Sequence, residues 1–176
     1  RGLMRGLAAR AARDPKRVVF PEGEDPKIMR AAQVLVDEGI AHPILLGRLE
    51  RVRAIADDNG ISLDHIHVEE PGASAHRERY AEYLWQRRQR KGLSLAEAQQ
   101  RITRATTFGS VMVAMGDADA LVGGIGKHYP ETVRPALEVI GADERHKIVS
   151  GLYMLVFEKH IVFFGDTTVN IEPTAE

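Results

Sequence analysis

Continuous apolar runs alternate with helix-like segments along most of the chain. The runs "RVVF" at 17–20 and "AHPILLG" at 41–47 have the character of strands buried in a parallel sheet. Between them, apolar residues recur at helical spacing. Asp25 precedes this segment as an N-cap, Pro26 suits its first position, and Gly39 ends it. The pattern therefore predicts a strand, a helix and a second strand.

The same alternation continues to residue 141. Further strands are predicted at 66–70 and 119–124, and further helices at 48–60, 74–92, 94–105, 106–118 and 131–141. Ser94 and Glu97 have the spacing of a capping box. A repeated order of strand and helix is typical of parallel strands covered by helices. The predicted fold class is α/β, with three α/β/α layers and a mainly parallel sheet.

The pattern changes after Gly141. The apolar segments 146–158 and 160–170 are joined by a short charged turn around residues 158–160, which predicts a hairpin. The last residues, 173–176, have the composition of the first turn of a helix. We therefore expect the hairpin to begin a second α/β domain, and the sequence to be truncated within that domain.

The predicted domain plan has three parts. Residues 1–16 are basic and alanine-rich, and we expect a linker or a helix from a preceding domain. Residues 17–144 are predicted to form the first α/β/α domain. Residues 145–176 are predicted to form the beginning of the second.

The composition narrows the possible functions. The 176 residues carry a net charge of −1, so no overall field attracts nucleic acid or an anionic membrane. The sequence has no cysteine, which excludes disulfides, thiolate metal sites and cysteine nucleophiles. No apolar run approaches the roughly 18 residues needed to cross a bilayer. We predict no nucleic-acid partner, no membrane partner and a cytoplasmic location.

The segment 119–141, "DALVGGIGKHYPETVRPALEVIG", is the clearest candidate for chemistry. A glycine loop follows a strand, Lys127 follows the loop, and Arg134 lies in the next helix. The segment is not a Walker A motif, because Leu121 and His128 replace a required glycine and a required Ser or Thr. A glycine loop before a helix start favours an anion, which Lys127 and Arg134 would attract. The alternative is a tight turn with two solvated bases.

Two other groups are weaker candidates. His65 and His67 would share one face of a strand as two metal ligands, but no third ligand is apparent, and no metal site is predicted. Glu22, Glu24 and Asp25 follow the first strand, where they could bind a ligand hydroxyl or a metal. Helix capping is sufficient to explain Asp25.

Several longer stretches resemble the phosphate acetyl/butyryl transferase family. They are "RVVFPEGEDPKIMRAA", "RKGLSLAEAQQRI", "TTFGSVMVAMGDADALVGG", "TVRPALEVIG", "VSGLYMLVFE" and "DTTVNIEPTAE". More narrowly, the chain resembles the version of this domain at the carboxyl end of bacterial NADP-dependent malic enzymes. "KHYPET" at 127–132 and "GDTTVNIEPTAE" at 165–176 depart from the stand-alone transferases in that direction.

The resemblance implies a fold like that of isocitrate and isopropylmalate dehydrogenases, with a cleft that holds coenzyme A. Two family arginines match Arg88 and Arg134, and with Lys127 they are expected to contact phosphate or coenzyme A. By charge alone, the basic run 87–91 around Arg88 would be a solvated face. No catalytic residue is assigned in this chain, because the serine–arginine pair and aspartate of the family lie beyond its last residue.

The resemblance also implies a function. We expect a regulatory and oligomerisation domain of NADP-dependent malic enzyme, which decarboxylates malate to pyruvate, with acetyl-CoA as the allosteric effector and homo-oligomers as the assembly. NADP and a divalent metal are expected only on the malic-enzyme domain of the intact chain. The alternatives are an active phosphate acetyltransferase, which exchanges acetyl between coenzyme A and phosphate, and a purely structural dimerisation piece.

Overall fold

The computed structural model describes residues 2–142, 145, 148–157, 160–166 and 169–170. The chain divides into two compact units, Gly2–Ile140 and the residues from Gly141 onward. The helices are α1 Gly2–Ala11, α2 Pro26–Asp37, α3 Leu49–Asn59, α4 Arg77–Arg88, α5 Leu95–Arg101, α6 Ala105–Ala114 and α7 Tyr129–Val139. The strands are β1 Lys16–Phe20, β2 Ala41–Leu46, β3 His67–Glu69, β4 Ala120–Leu121, β5 Leu152–Val156 and β6 Ile161–Gly165.

Strands β1 to β4 form one parallel sheet in the order β3-β2-β1-β4. The chain builds outward from β1 through β2 and β3, and then returns to the other side of β1 with β4. Val19 pairs with Ile44 on one side and with Leu121 on the other. The order reverses between β1 and β4, and such a point in a parallel α/β sheet is where ligands commonly bind.

Both faces of this sheet are covered by helices, which confirms the predicted α/β/α fold class. Successive strand residues point to opposite faces. Val19 packs with residues of α4, α5, α6 and α7, whereas Phe20 packs with residues of α2 and α3. Among the fully buried side chains, Tyr80 and Phe108 fill the first core and Met29 fills the second.

The predicted helix signals are confirmed at two positions. The Asp25 carboxylate accepts the backbone N–H of Lys27 at 2.7 Å, as an N-cap should. Ser94 and Glu97 form the reciprocal capping box at the start of α5. The helix predicted at 74–92 is shorter, because α4 ends at Arg88 and a 3₁₀ turn, Gln89–Lys91, follows. None of the helices in the described part of the chain is long and apolar enough to cross a membrane.

The second unit contains the predicted hairpin. Strands β5 and β6 pair antiparallel, with Met154 opposite Phe163. Most of the large side chains of this hairpin are exposed. The predicted turn residues Glu158 and Lys159, and the helix start predicted at 173–176, lie outside the described residues. The assignment of this hairpin to a second domain stays a prediction.

Candidate anion-binding site

Helices α6 and α7 begin at the same cleft, which has a volume of about 600 Å³. The cleft is lined by Arg104, Ala105, Thr106, Thr107, Lys127, Pro130, Glu131, Arg134 and Pro135. The first amides of a helix have no partner within the helix, and its dipole is positive at this end. Two helix starts at one cleft therefore favour a bound anion.

Basic side chains outnumber acidic ones in this cleft. Arg104, Lys127 and Arg134 line it together with a single carboxylate, Glu131. Arg104 and Arg134 are exposed, and neither side chain makes a hydrogen bond or an ion pair with another described residue. Their guanidinium groups are therefore free to bind a ligand, and guanidinium suits phosphate because it offers paired donors in one plane.

Lys127 is anchored inside the cleft by a threonine. Its ammonium donates to Thr106 Oγ1 at 2.8 Å. Thr106 belongs to the first turn of α6 and is only 5% exposed. An ammonium has three N–H donors, so two remain for other partners. The contact places a positive charge beside the free amides of α6.

The glycine loop between β4 and α7 determines where Lys127 lies. Val122 N donates to Val19 O at 3.0 Å, so the chain stays beside β1 just beyond the end of β4. Gly124 then adopts a φ of +117°, which favours glycine because it has no Cβ. Its backbone N–H donates to the two carboxylate oxygens of Glu22 at 3.0 and 3.1 Å. Lys127 follows three residues later.

Arg88 does not line this cleft. Its Nη2 lies 3.7 Å from Glu138 Oε1, and its side chain is 22% exposed. Arg101 contacts the other oxygen of Glu138 at 3.8 Å. The neighbouring Arg87 donates to Val139 O at 3.1 Å and to Ile140 O at 3.0 Å. Arg87 therefore contacts the carboxyl end of α7, where positive charge is favourable, while Arg87, Gln89, Arg90 and Lys91 of the run are exposed.

A second cleft of about 610 Å³ lies at the carboxyl edge of the sheet. Its charged lining residues are Glu22, Glu24, Asp25, Arg48 and Glu70. Burial raises the pKa of Glu24, but hydrogen bonds from Arg48 and the charge of Arg51 outweigh burial and hold that pKa below its ordinary value. Since carboxylates predominate here, this cleft is unfavourable for phosphate.

The weaker metal candidates do not form a site among the described residues. His67 Nε2 lies 3.4 Å from Glu69 Oε2, a single contact on a partly exposed strand. Within the described ranges, no group of three or more His, Asp or Glu side chains is placed to hold a metal ion.

Sequence reasoning found two of the four cleft residues that carry the argument. Lys127 and Arg134 were predicted and lie in the same cleft. Arg104 and Thr106 were missed, because the predicted helices ran together across residue 104. In the structure Arg104 is extended, with φ −79° and ψ 123°, and α6 begins after it. The available signal was a base two positions before a pair of threonines, Thr106 and Thr107, at a helix start.

Residues 3–176 match the family model of phosphate acetyl/butaryl transferase. The chain belongs to this family. It is 38% identical to a phosphate acetyltransferase of Synechocystis over 171 residues, and 35% identical to one of Nitratidesulfovibrio vulgaris over 170 residues. These matches cover 96% and 97% of the chain but 24% of either relative. The chain thus spans about a quarter of the length of these relatives.

A solved structure gives the same result for the fold. The phosphotransacetylase of Streptococcus pyogenes superposes with a TM-score of 0.90 at 30% identity. The match covers 98% of this chain and 53% of that protein. The three-layer fold of this chain is therefore the fold of a solved phosphotransacetylase, in agreement with the family match.

The expectation of a malic enzyme is wrong. The relatives are named phosphate acetyltransferases or phosphotransacetylases, which are acyltransferases, and none of those cited is described as a malic enzyme or an oxidoreductase. The expectation of NADP in the intact protein, which depended on the malic enzyme, is not supported either.

Proposed function

We propose that the protein acts as a phosphate acetyltransferase, which exchanges acetyl between coenzyme A and phosphate. In this proposal the cleft at the start of α6 and α7 holds the phosphate, or the phosphate group of acetyl phosphate. The observation that carries the proposal is the convergence of Arg104, Lys127 and Arg134 on two helix N-termini. Membership of the transferase family supports the same reaction.

The cleft residues have a binding and orienting task in this reaction. The transfer forms a bond between the acetyl carbon and a phosphate oxygen while the bond between carbon and sulfur breaks, and the proton that hydrogen phosphate loses passes to the departing thiolate. Phosphate is a dianion near neutral pH, so its approach to the thioester is easier when cations offset its charge. Lys127 supplies a point charge, and Arg134 supplies a planar pair of donors.

The first test is calorimetric titration of the protein with inorganic phosphate, acetyl phosphate and coenzyme A. Losing one charged hydrogen-bond partner removes about 1.5–3 kcal/mol, so Lys127→Ala and Arg134→Ala should each weaken phosphate binding about ten- to a hundredfold. Arg134→Lys should recover only part of the affinity, since lysine lacks the planar pair of donors.

The matched control is Arg53→Ala on the exposed face of α3. It removes the same charge, and the Arg53 side chain makes no hydrogen bond or ion pair with other described residues. It should leave phosphate affinity within about twofold of the wild type, because exposed distant charges are screened by salt. Equal losses in Arg134→Ala and Arg53→Ala would show a diffuse charge effect and refute the proposed site. Binding of coenzyme A without phosphate would place the anionic group of coenzyme A there instead.

A further inference from the structure

Glu22 occupies the place in the sheet where an anionic ligand would be expected. It follows β1, and the glycine loop follows β4, so the two segments meet where the strand order reverses. Loop amides at such a point often bind an anion in parallel α/β sheets. Here both Glu22 carboxylate oxygens accept the N–H of Gly124. A carboxylate of the protein therefore accepts from the loop amide that an anion would otherwise contact.

The glycine loop is packed tightly against this carboxylate. A Cβ added at Gly123 would lie 3.1 Å from Glu22 Oε2 and 3.4 Å from Pro21 Cδ. Gly124 adopts its φ of +117° directly above the same group. The path of the loop is thus determined by the contact with Glu22, and this path brings the Lys127 ammonium within 2.8 Å of Thr106 Oγ1.

We propose that Glu22 is a positioning residue, which fixes the glycine loop so that Lys127 is presented to phosphate at the start of α6. Glu22 does not line the phosphate cleft, and it acts through Gly124 and Lys127. Its carboxylate also takes up the loop amide that would otherwise attract an anion. The inference rests on the proposed function, because it assigns Lys127 the role of a phosphate ligand.

Two physical effects of Glu22 on phosphate binding have opposite signs. Its negative charge by itself repels a phosphate nearby, so removing it should strengthen binding. Its hydrogen bond to Gly124 holds the loop in place, so removing it should weaken binding. Whether phosphate affinity rises or falls in a variant that lacks the Glu22 carboxylate therefore shows which effect is larger.

Phosphate titration of three variants makes the comparison. Glu22→Ala should weaken binding about tenfold, as expected for loss of one hydrogen bond to a charged group, although a negative charge is removed. Glu22→Gln should remain within about threefold of the wild type, because its amide oxygen can accept the same N–H. The control is Glu70→Ala in the acidic cleft, since the Glu70 side chain makes no hydrogen bond or ion pair with other described residues. It should bind phosphate as well as the wild type or more tightly.

The second readout needs no ligand. Hydrogen exchange of the Gly124 amide, followed by NMR, should be slow in the wild type and in Glu22→Gln, and at least about tenfold faster in Glu22→Ala. Slow exchange without any phosphate binding would refute the proposed function and leave the contact between Glu22 and the loop intact.

Several results would overturn the inference itself. Unchanged or tighter phosphate binding by Glu22→Ala would show that the carboxylate acts only through its charge. Equal losses of phosphate affinity in Glu22→Ala and Glu22→Gln would show that a hydrogen-bond acceptor at position 22 is not sufficient to position the loop. If Glu22→Ala does not fold by circular dichroism, Glu22→Gln still decides, because fast exchange of Gly124 in that folded variant contradicts the proposed contact.

Discussion

The hydrogen bond between Lys127 and Thr106 is the contact that brings the glycine loop to α6, and its strength can be measured. Thr106→Val keeps the shape of the side chain and removes the acceptor, while Lys127→Met keeps most of the length and removes the charge. The two single variants and the double variant form a double-mutant cycle, which isolates the energy of the pair.

The structure sets the expected size of this coupling. A hydrogen bond to a charged group contributes about 1.5–3 kcal/mol when both partners are well shielded. Thr106 is 5% exposed, but Lys127 is exposed, so water competes for the ammonium. We therefore expect a coupling of about 0.5–1.5 kcal/mol in the free energy of unfolding.

Urea denaturation of the four proteins, followed by circular dichroism, gives the coupling directly. In Thr106→Val the lysine is no longer held, and ordering its side chain on a ligand costs up to about 2 kcal/mol. Phosphate binding should then weaken, by at most about thirtyfold. A coupling near zero together with unchanged phosphate affinity would refute the reasoning, because the ammonium would then not be held at Thr106 in solution.

Three further predictions concern other parts of the chain. Tyr80→Phe removes a 2.6 Å hydrogen bond to Asp117 Oδ2 and should destabilise the protein by about 1 kcal/mol in urea denaturation, whereas no change would mean that the contact has no net value. Hydrogen bonds from Arg17 hold the pKa of Asp119 at about 2. The ionised Asp119 therefore stabilises the fold above the unfolded pKa of about 3.9, and this stabilisation is lost as the pH falls towards 2. NMR titration of Asp119 should show that pKa rise in Arg17→Ala, and an unchanged pKa would contradict the pairing. The side chain of Phe163 in the hairpin is 59% exposed, so the 176-residue chain should self-associate, and Phe163→Lys should reduce this association in light scattering. A wild-type chain that is monomeric at high concentration would contradict this prediction.

The sequence pattern was sufficient to predict most helices and strands, because the signals that mark them are local. A continuous apolar run marks β2, an Asp-Pro pair marks the start of α2, and a capping box marks the start of α5. The strand order was not predictable, since periodicity contains no information on which strands pair. The predicted start of α6 at 106 is one residue from the observed start at Ala105, but the extended Arg104 before it was missed, because neither a capping side chain nor a proline marks it.

The residues of the candidate site also differ in whether their signals are local in the sequence. Lys127 and Arg134 could be predicted because loop, base and helix follow each other within one segment. Thr106 became relevant only through its contact with a residue 21 positions away. The contact between Arg88 and Glu138 could not be predicted, because Glu138 comes from a helix fifty positions further along the chain. The malic-enzyme expectation failed for a different reason, since a few departures in two short stretches of sequence identify no particular activity.

The proposed phosphate site is one of two neighbouring clefts that differ in charge. Both are lined by Ala105, and the loop that supplies Lys127 to one supplies Ile125 and Gly126 to the other. Position in the fold therefore does not distinguish them, but charge does, since carboxylates predominate in one and bases in the other. Glu22 adds a second reason, because its contact with the Gly124 amide fills the point where the strand order reverses. On the proposed function, an anion that approaches this edge should be repelled by the carboxylates at the sheet ends and attracted to the start of α6 and α7.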